Sequence, residues 1–230
     1  AVGAFYLADI SHEAGLIAAG AMPSPVGIAD VVTFTTHKTL CGPRAAVILS
    51  NNEISKKVDS SVFPGIQGGP HLHSIAAICV CMKYAQTDKF KEYAFQTIKN
   101  AKQLAQSLSE MGYDVVTGGT DKHLVLVDLR SKSDSARLVA RTLDFAGIVI
   151  NKNTVPFEQG SSVNPSGIRM GTPILTIRGM KESEMKIVAQ LIDRVVRECS
   201  FDLSNTNDLN ILKDSAEIKK IKTKVSNICT

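Results

Sequence analysis

Three short apolar runs near the start of the chain constrain its fold more than any other feature. Residues 4 to 8 lead into Asp9, and Val31-Val32-Thr33-Phe34-Thr35 and Ala45-Ala46-Val47-Ile48-Leu49 are apolar or β-branched at every position. Runs of this length without polar alternation suit strands buried on both faces, as in a parallel or mixed sheet covered by helices. Between the first two, residues 12 to 19 read as helical, and Pro and Gly break the chain from 20 to 25. A second Pro and Gly loop, 64 to 70, precedes an apolar stretch from 75 to 84 that is expected to be a buried helix. The expected class is α/β.

From Asp88 the period changes. Phe90, Tyr93, Ala94, Ile98, Ala101, Leu104, Ala105, Leu108 and Met111 recur at helical spacing in an otherwise polar segment, so one long amphipathic helix is expected over about 88 to 111. Such a helix is a natural connector, and the expected division is a domain at 1–86 and a smaller α/β domain at 87–230. In the latter, strands are expected at 113–117, 123–129 and 147–151, with helices at 134–146 and 181–198. The tail from Asp208 to Ile228 reads as a modest amphipathic helix pair.

Composition narrows the class of function. Hydrophobic residues at 44% and charged residues at 21% fit a globular chain, and no apolar run approaches the roughly 20 residues of a membrane span. The formal charge of +4 gathers at Lys213, Lys219, Lys220, Lys222 and Lys224, too mild a footprint for nucleic acid to be the expected partner. Five cysteines without CxxC spacing argue against a disulfide framework or a structural zinc, and HExxH is absent, so no metal site is expected. A reducing, cytoplasmic setting fits. The opening Ala1 to Leu7 lacks a basic region or cleavage site, reads as an interior strand, and leads us to expect truncation at the start.

The densest polar cluster is Thr33-Phe34-Thr35-Thr36-His37-Lys38-Thr39, directly after an apolar run and before Cys41-Gly42-Pro43-Arg44. In α/β sheets, ligands bind beyond the carboxyl ends of strands, and a partly desolvated lysine there can attack a carbonyl as the neutral amine. A solvated loop lysine is the competing account. Asp9, at the end of another run, is a carboxylate that needs a cation if buried, and a protonated pyridine nitrogen would serve. A helix N-cap, with Asp9 or Ser11 ahead of His12-Glu13-Ala14, accounts for it about as well. Arg169, within Ser166-Gly167-Ile168-Arg169-Met170-Gly171, has the rigid fork that grips a carboxylate with two hydrogen bonds, with a structural ion pair as its alternative. GxGxxG and Walker motifs are missing, so no dinucleotide or P-loop site is supported.

Together these segments resemble serine hydroxymethyltransferase. The resemblance rests on Asp9-Ile10-Ser11-His12, Thr35-Thr36-His37-Lys38-Thr39-Leu40, Gly42-Pro43-Arg44, Phe63 to Pro70, Gly118-Gly119-Thr120 and Ser166 to Arg169, in the family's order and spacing. It runs almost from end to end, and the bacterial form is the closer match. The departures are Phe34 in the family's threonine run, Cys41 where Arg or Ala is common, Ala45-Ala46 for Gly-Gly, and Asn164-Pro165 before the arginine motif.

The resemblance implies the end of the large cofactor-binding α/β/α domain of a fold type I, aspartate aminotransferase-like enzyme, followed by a small C-terminal α/β domain. It implies a homodimer with shared active sites that moves the Cβ of L-serine onto tetrahydrofolate, giving glycine and 5,10-methylenetetrahydrofolate. Lys38 would hold pyridoxal 5'-phosphate as a Schiff base, Asp9 would pair with the pyridinium nitrogen, and His12 would stack on the ring. His37 matches a position tied to substrate choice, Thr35 a hydroxyl near the reacting centre, and Arg169 the serine carboxylate clamp. Gly68 and Gly69 would meet the cofactor phosphate of the neighbouring subunit. For the folate, the resemblance implies Asn153 and the loop Ser161-Ser162-Val163, with Glu53 near the subunit interface. The family's N-terminal half, which carries further folate and phosphate contacts, has no counterpart in this sequence, so the piece alone is expected to be inactive. Two alternatives stand beside this reading: another fold type I enzyme, such as a threonine aldolase or a glycine acyltransferase, and a non-catalytic protein that binds RNA through residues 213 to 224.

Overall fold

The structure is a computed structural model that describes residues 2–133, 135–199 and 212–229. The chain is a mixed α/β protein divided into two compact units, Ala1–Phe95 and Gln96–Thr230.

In the first unit, β1 (Leu7–Asp9), β2 (Val31–Thr35) and β3 (Ala46–Ser50) form one sheet in that order. β1 runs parallel to β2, and β3 is antiparallel to it. The parallel pair forces a crossover, and α1 (Ala14–Ala18) supplies it. Asp9 lies opposite Thr33 in register, so the chain leaves both parallel strands at the same end of the sheet. The unit continues with α2 (Asn52–Ser60), a helical turn at Ser61–Ile66, α3 (Leu72–Ala85) and the start of α4 (Asp88–Glu110). Asn51 caps α2 by accepting from the Ile54 N–H at 3.2 Å. Leu16, Val32, Phe34, Leu40, Phe90 and Ala94 form the core, with the Phe90 ring edge-on to Tyr84 at 5.5 Å.

Three expectations fail in this unit. The strands are not buried on both faces: β2 alternates half-buried and buried residues, while Leu7, Ile48 and Leu49 are exposed. An apolar run records which side chains favour burial, but burial also needs cover, and the edge strands β1 and β3 have little of it: Leu49 is exposed although it lies opposite buried Val32 on the same face. For the same reason α3 is not a buried helix, since only Cys81 and Ala85 are buried and Val80 is 71% exposed. Asp9 is likewise exposed, because β1 is an edge strand.

The second unit is built on β4 (Asp114–Val115), β5 (Leu124–Asp128), β6 (Asn151–Asn153) and β7 (Gly167–Gly171). The order is β4-β5-β7-β6 and every neighbouring pair is antiparallel. One face of the sheet carries Val125, Val127, Ile168 and Met170 into a core shared with α5 (Ala136–Phe145), α7 (Glu182–Glu198) and α8 (Ala216–Cys229). Met185, Ala189, Ile192 and Val196 repeat every three or four residues on α7, which is the stripe that burial selects. Alternation along β7 then puts Arg169 on the opposite face from Ile168 and Met170. α6 (Pro173–Ile177) follows directly and is tied to α4, because the buried Asn100 amide donates to Thr176 Oγ1 and to the Met180 carbonyl, both at 2.9 Å.

Boundaries shift here for identifiable reasons. The strand expected at 113–117 shortens to Asp114–Val115, because Thr117 at φ 64° turns the chain. The strand expected at 147–151 becomes Asn151–Asn153, since Gly147 at φ 82° ends α5 in a tight turn and Ile148 and Ile150 pack on the core from the connecting segment. In the tail, residues 212–214 are helical and α8 follows after a break at Ser215, in keeping with the expected pair, while residues 208–211 lie outside the described residues. Of the cations of α8, Lys219 meets Asp214 at 3.2 Å, while the helix's own Glu217 is taken by Arg194 of α7.

Ile192 is 1% exposed in the centre of this core. Replacing it with alanine should cost about 2–5 kcal/mol, the range for truncating a fully buried aliphatic side chain. Urea denaturation should show this as a lowered midpoint at unchanged slope, and a loss below about 0.5 kcal/mol, the scale of surface changes, would contradict the packing described.

Candidate functional site

At the shared carboxyl end of β1 and β2, one hydroxyl organises the loops. Ser11 Oγ donates to Asp9 Oδ1 at 2.5 Å and accepts from the Thr35 N–H at 3.2 Å, while the Ser11 N–H donates to the same carboxylate oxygen at 3.0 Å. Asp9 therefore folds back on its own loop and does not cap α1, whose first position is preceded by Glu13 without a side-chain cap. Its carboxyl is held below the usual carboxylate range, first by the Ser11 hydroxyl, then by the Ser11 N–H, with the positive charge of Lys38 adding to them. Asp9 and Lys38, well separated in sequence, are thus electrostatic neighbours.

The segment that carries Lys38 is pinned on either side by buried threonines. Thr36 Oγ1 donates to the Pro43 carbonyl at 2.6 Å. Thr39 Oγ1 donates to the His12 carbonyl at 2.7 Å and accepts from the Gly15 N–H at 3.0 Å. Gly15 permits this approach, because a Cβ there would stand 2.2 Å from the Thr39 carbonyl oxygen. With Thr36 and Thr39 turned inward, His37 and Lys38 are left half-buried between them. The Lys38 ammonium forms no hydrogen bond or ion pair among the described residues, and His37 Nδ1 is buried without a partner. Thr35 Oγ1 donates weakly to the Ser11 carbonyl at 3.4 Å.

The structure thus brings together Asp9, Thr35, His37 and Lys38, and ties His12 to them through Thr39. Gly68 and Gly69 lie in an exposed loop before α3, and Glu53 sits in the first turn of α2; among the described residues these three share no hydrogen bond with the cluster. Neither Ser11, offered by the sequence only as an alternative helix N-cap, nor Thr39 was singled out for these bonds. Their only signal was the density of hydroxyl residues around Lys38, because the bonds of Ser11 to Thr35 and of Thr39 to Gly15 each span 24 residues.

In the second unit, Arg169 stands on β7 opposite Leu126 of β5 and Asn151 of β6. It is half-buried, and its guanidinium has no hydrogen bond or ion pair among the described residues. The structural ion pair that competed for this arginine is therefore not among them. Asn153 pairs in register with Gly167, and its side-chain amide donates to the Thr154 carbonyl at 2.7 Å. Ser161, Ser162 and Val163 are exposed in the loop between β6 and β7, where Lys152 Nζ donates to the Val163 carbonyl. Glu158, also missed, gathers donors from both ends of that loop. Its carboxyl is held down at about 2, first by the Ser166 hydroxyl and then by the N–H groups of Ser166 and Gly160.

A profile of the serine hydroxymethyltransferase family matches residues 1–192. The chain belongs to that family. It is 48% identical over 222 residues to a curated serine hydroxymethyltransferase of Rickettsia canadensis (strain McKiel), covering 96% of this chain and 53% of the relative. It is 46% identical over 228 residues to that of Desulfotalea psychrophila (strain LSv54 / DSM 12343), covering 99% and 51%. The chain spans about half the length of the curated relatives it matches. The family's enzymes are pyridoxal-phosphate-dependent transferases that use tetrahydrofolate as cosubstrate.

The groups present suit that cofactor. A lysine amine without a partner is free to condense with an aldehyde, an ionised carboxylate beside it can hold a pyridinium, and the buried, unpartnered His37 Nδ1 offers a further polar contact. The loop they stand on depends on Thr39, so Thr39→Val should remove both bonds and leave the buried Gly15 N–H without this acceptor. About 1–3 kcal/mol is the expected cost. Denaturant unfolding followed by a probe in the first unit should register it, and an unchanged midpoint would show that water replaces the hydroxyl at no cost.

Proposed function

We propose that this chain contributes the lysine, pyridinium and carboxylate-binding groups of a serine hydroxymethyltransferase, which transfers the Cβ of L-serine to tetrahydrofolate and yields glycine and 5,10-methylenetetrahydrofolate. The observation that carries the reading is the convergence of Asp9 and Lys38 at one end of a parallel strand pair, in a chain of this family. In this reading residues 1–86 are the end of the large domain of a fold type I enzyme, and 87–230 form its small domain.

When bound, pyridoxal phosphate supplies an electron sink conjugated with the substrate Cα. Lys38 would anchor the cofactor through its amine and afterwards be free to move a proton at Cα. Asp9, its carboxyl held below the usual carboxylate range, would keep the ring nitrogen protonated. His12 would lie against the ring face, with Thr35 and His37 beside the reacting groups. Arg169, with no competing partner among the described residues, would grip the serine carboxylate in a bidentate pair that orients Cα and Cβ. Asn153, Ser161, Ser162 and Val163 would receive the folate. Gly68 and Gly69 would present backbone N–H groups to the cofactor phosphate of a partner subunit, with Glu53 near that interface, so the working form is a homodimer with shared sites. No helix among the described residues is long and apolar enough to cross a membrane; we assign the cytoplasm on the family's chemistry and the unpaired cysteines.

Two experiments on the full-length protein test this reading. After incubation with pyridoxal phosphate and reduction with borohydride, the pyridoxyl mass should map to Lys38; label on another residue, or none, ends the assignment. Arg169→Ala should weaken serine binding about tenfold to a hundredfold, as expected for loss of a bidentate charge-assisted pair, and leave the absorbance of the bound cofactor unchanged. If that absorbance is lost instead, the arginine is structural.

A further inference from the structure

The chain leaves β6 at Asn153 and returns to the sheet at Gly167, and a single carboxylate closes this excursion. Glu158 accepts from the Val155 N–H at 3.3 Å and the Gly160 N–H at 2.8 Å on the outgoing side. On the returning side it accepts from the Ser166 N–H at 2.9 Å and the Ser166 hydroxyl at 2.6 Å. Four donors from both ends of the loop meet two oxygens, and each bond is strengthened by the negative charge. The packing is close, since a Cβ on Gly160 would stand 2.5 Å from the Asn164 carbonyl oxygen and 3.0 Å from Glu158 Oε1. Beyond the clasp, the tip at 161–163 faces solvent, with Val163 64% exposed.

Glu158 is the one carboxylate between Asn153 and Gly167. A glutamine offers one acceptor oxygen and an NH2 group that would face the N–H donors. An unclasped loop of this length would have to be ordered when a ligand binds, at a cost drawn from the affinity. Arg169 does not share this dependence, because β5 and β6 hold its backbone from either side.

We infer that Glu158 is a positioning residue for the cosubstrate: it ties the 161–163 tip to the start of β7, so that the tip is a preformed surface for the folate. The inference rests on the assignment of the folate to this loop made above. It separates two ligands that a general structural role would affect together. Losing the clasp should impair folate binding while leaving serine binding and cofactor loading intact.

The test uses the full-length enzyme loaded with pyridoxal phosphate and compares Glu158→Gln with Val163→Asp, which alters the tip without touching the clasp. For Glu158→Gln the KM for tetrahydrofolate should rise roughly tenfold or more, as expected when several charge-assisted bonds are lost and a loop must be ordered on binding. In the same variant kcat should fall by no more than about threefold, and the serine-induced change in cofactor absorbance, titrated without folate, should keep its midpoint. If serine midpoint, kcat and folate KM all move together, Glu158 is structural and the inference is overturned. If Val163→Asp raises the folate KM and Glu158→Gln does not, positioning by Glu158 is overturned while the folate site stands. If neither variant changes the folate KM, the assignment of folate to this loop fails and the inference falls with it.

Discussion

The hydroxyl of Thr39 is the interaction on which the lysine site depends. It bonds in both directions at once, donating to the His12 carbonyl and accepting from the Gly15 N–H, and so joins the segment after β2 to the start of α1. Thr36 is tied inward in the same way through the Pro43 carbonyl. Two inward threonines leave the intervening pair, His37 and Lys38, nowhere to go but toward the end of the sheet. The local threonine-rich sequence thus acts as a pair of fasteners around the residue that would do the chemistry. Ser11 adds a third link, joining the Asp9 carboxylate to the Thr35 backbone, so strand, crossover and lysine segment form one hydrogen-bonded unit.

The second unit presents its cation by a different device. No loop is needed for Arg169, because strand alternation sends it away from the core that takes Ile168 and Met170. A strand of a four-stranded sheet is a stiffer mount than a loop, which suits the role proposed for Arg169 of fixing the orientation of a carboxylate. The adjoining loop lacks that support and uses a charged clasp in its place. Rigidity comes from the ladder at Arg169 and from one carboxylate at 155–166.

What could be read in the sequence, and what could not, follows from the range of the physics involved. Periodicity is local, so the long helix α4 and the stripe of α7 were legible within a residue or two. Lys38, Asp9 and Arg169 stood out because each joins a reactive side chain to a recognisable local frame. Ser11, Thr39 and Glu158 did not, since their roles exist only once their partners are brought to them in space. Strand ends were also misjudged: Ile148 and Ile150 favour burial and obtain it from an irregular segment after Gly147, which apolar patterning cannot tell from a strand. Burial itself was overstated for β1, β3 and α3, because an apolar sequence states a demand for cover and not its source.

That unmet demand lies mainly in the first unit. Val80, Leu72, Phe63 and Ile66 are exposed there, while the second unit encloses its core from Ala101 to Ile221. Exposed apolar side chains in such number mark a surface that is covered when the protein works. The same unit holds a half-buried lysine, and the other a half-buried arginine, with no hydrogen bond or ion pair among the described residues, arrangements that cost stability unless a ligand repays it. Charges without a partner among the described residues and bare apolar side chains have one cause in common. Both are halves of contacts, and the proposed shared-site homodimer with its cofactor and substrates would supply the other halves.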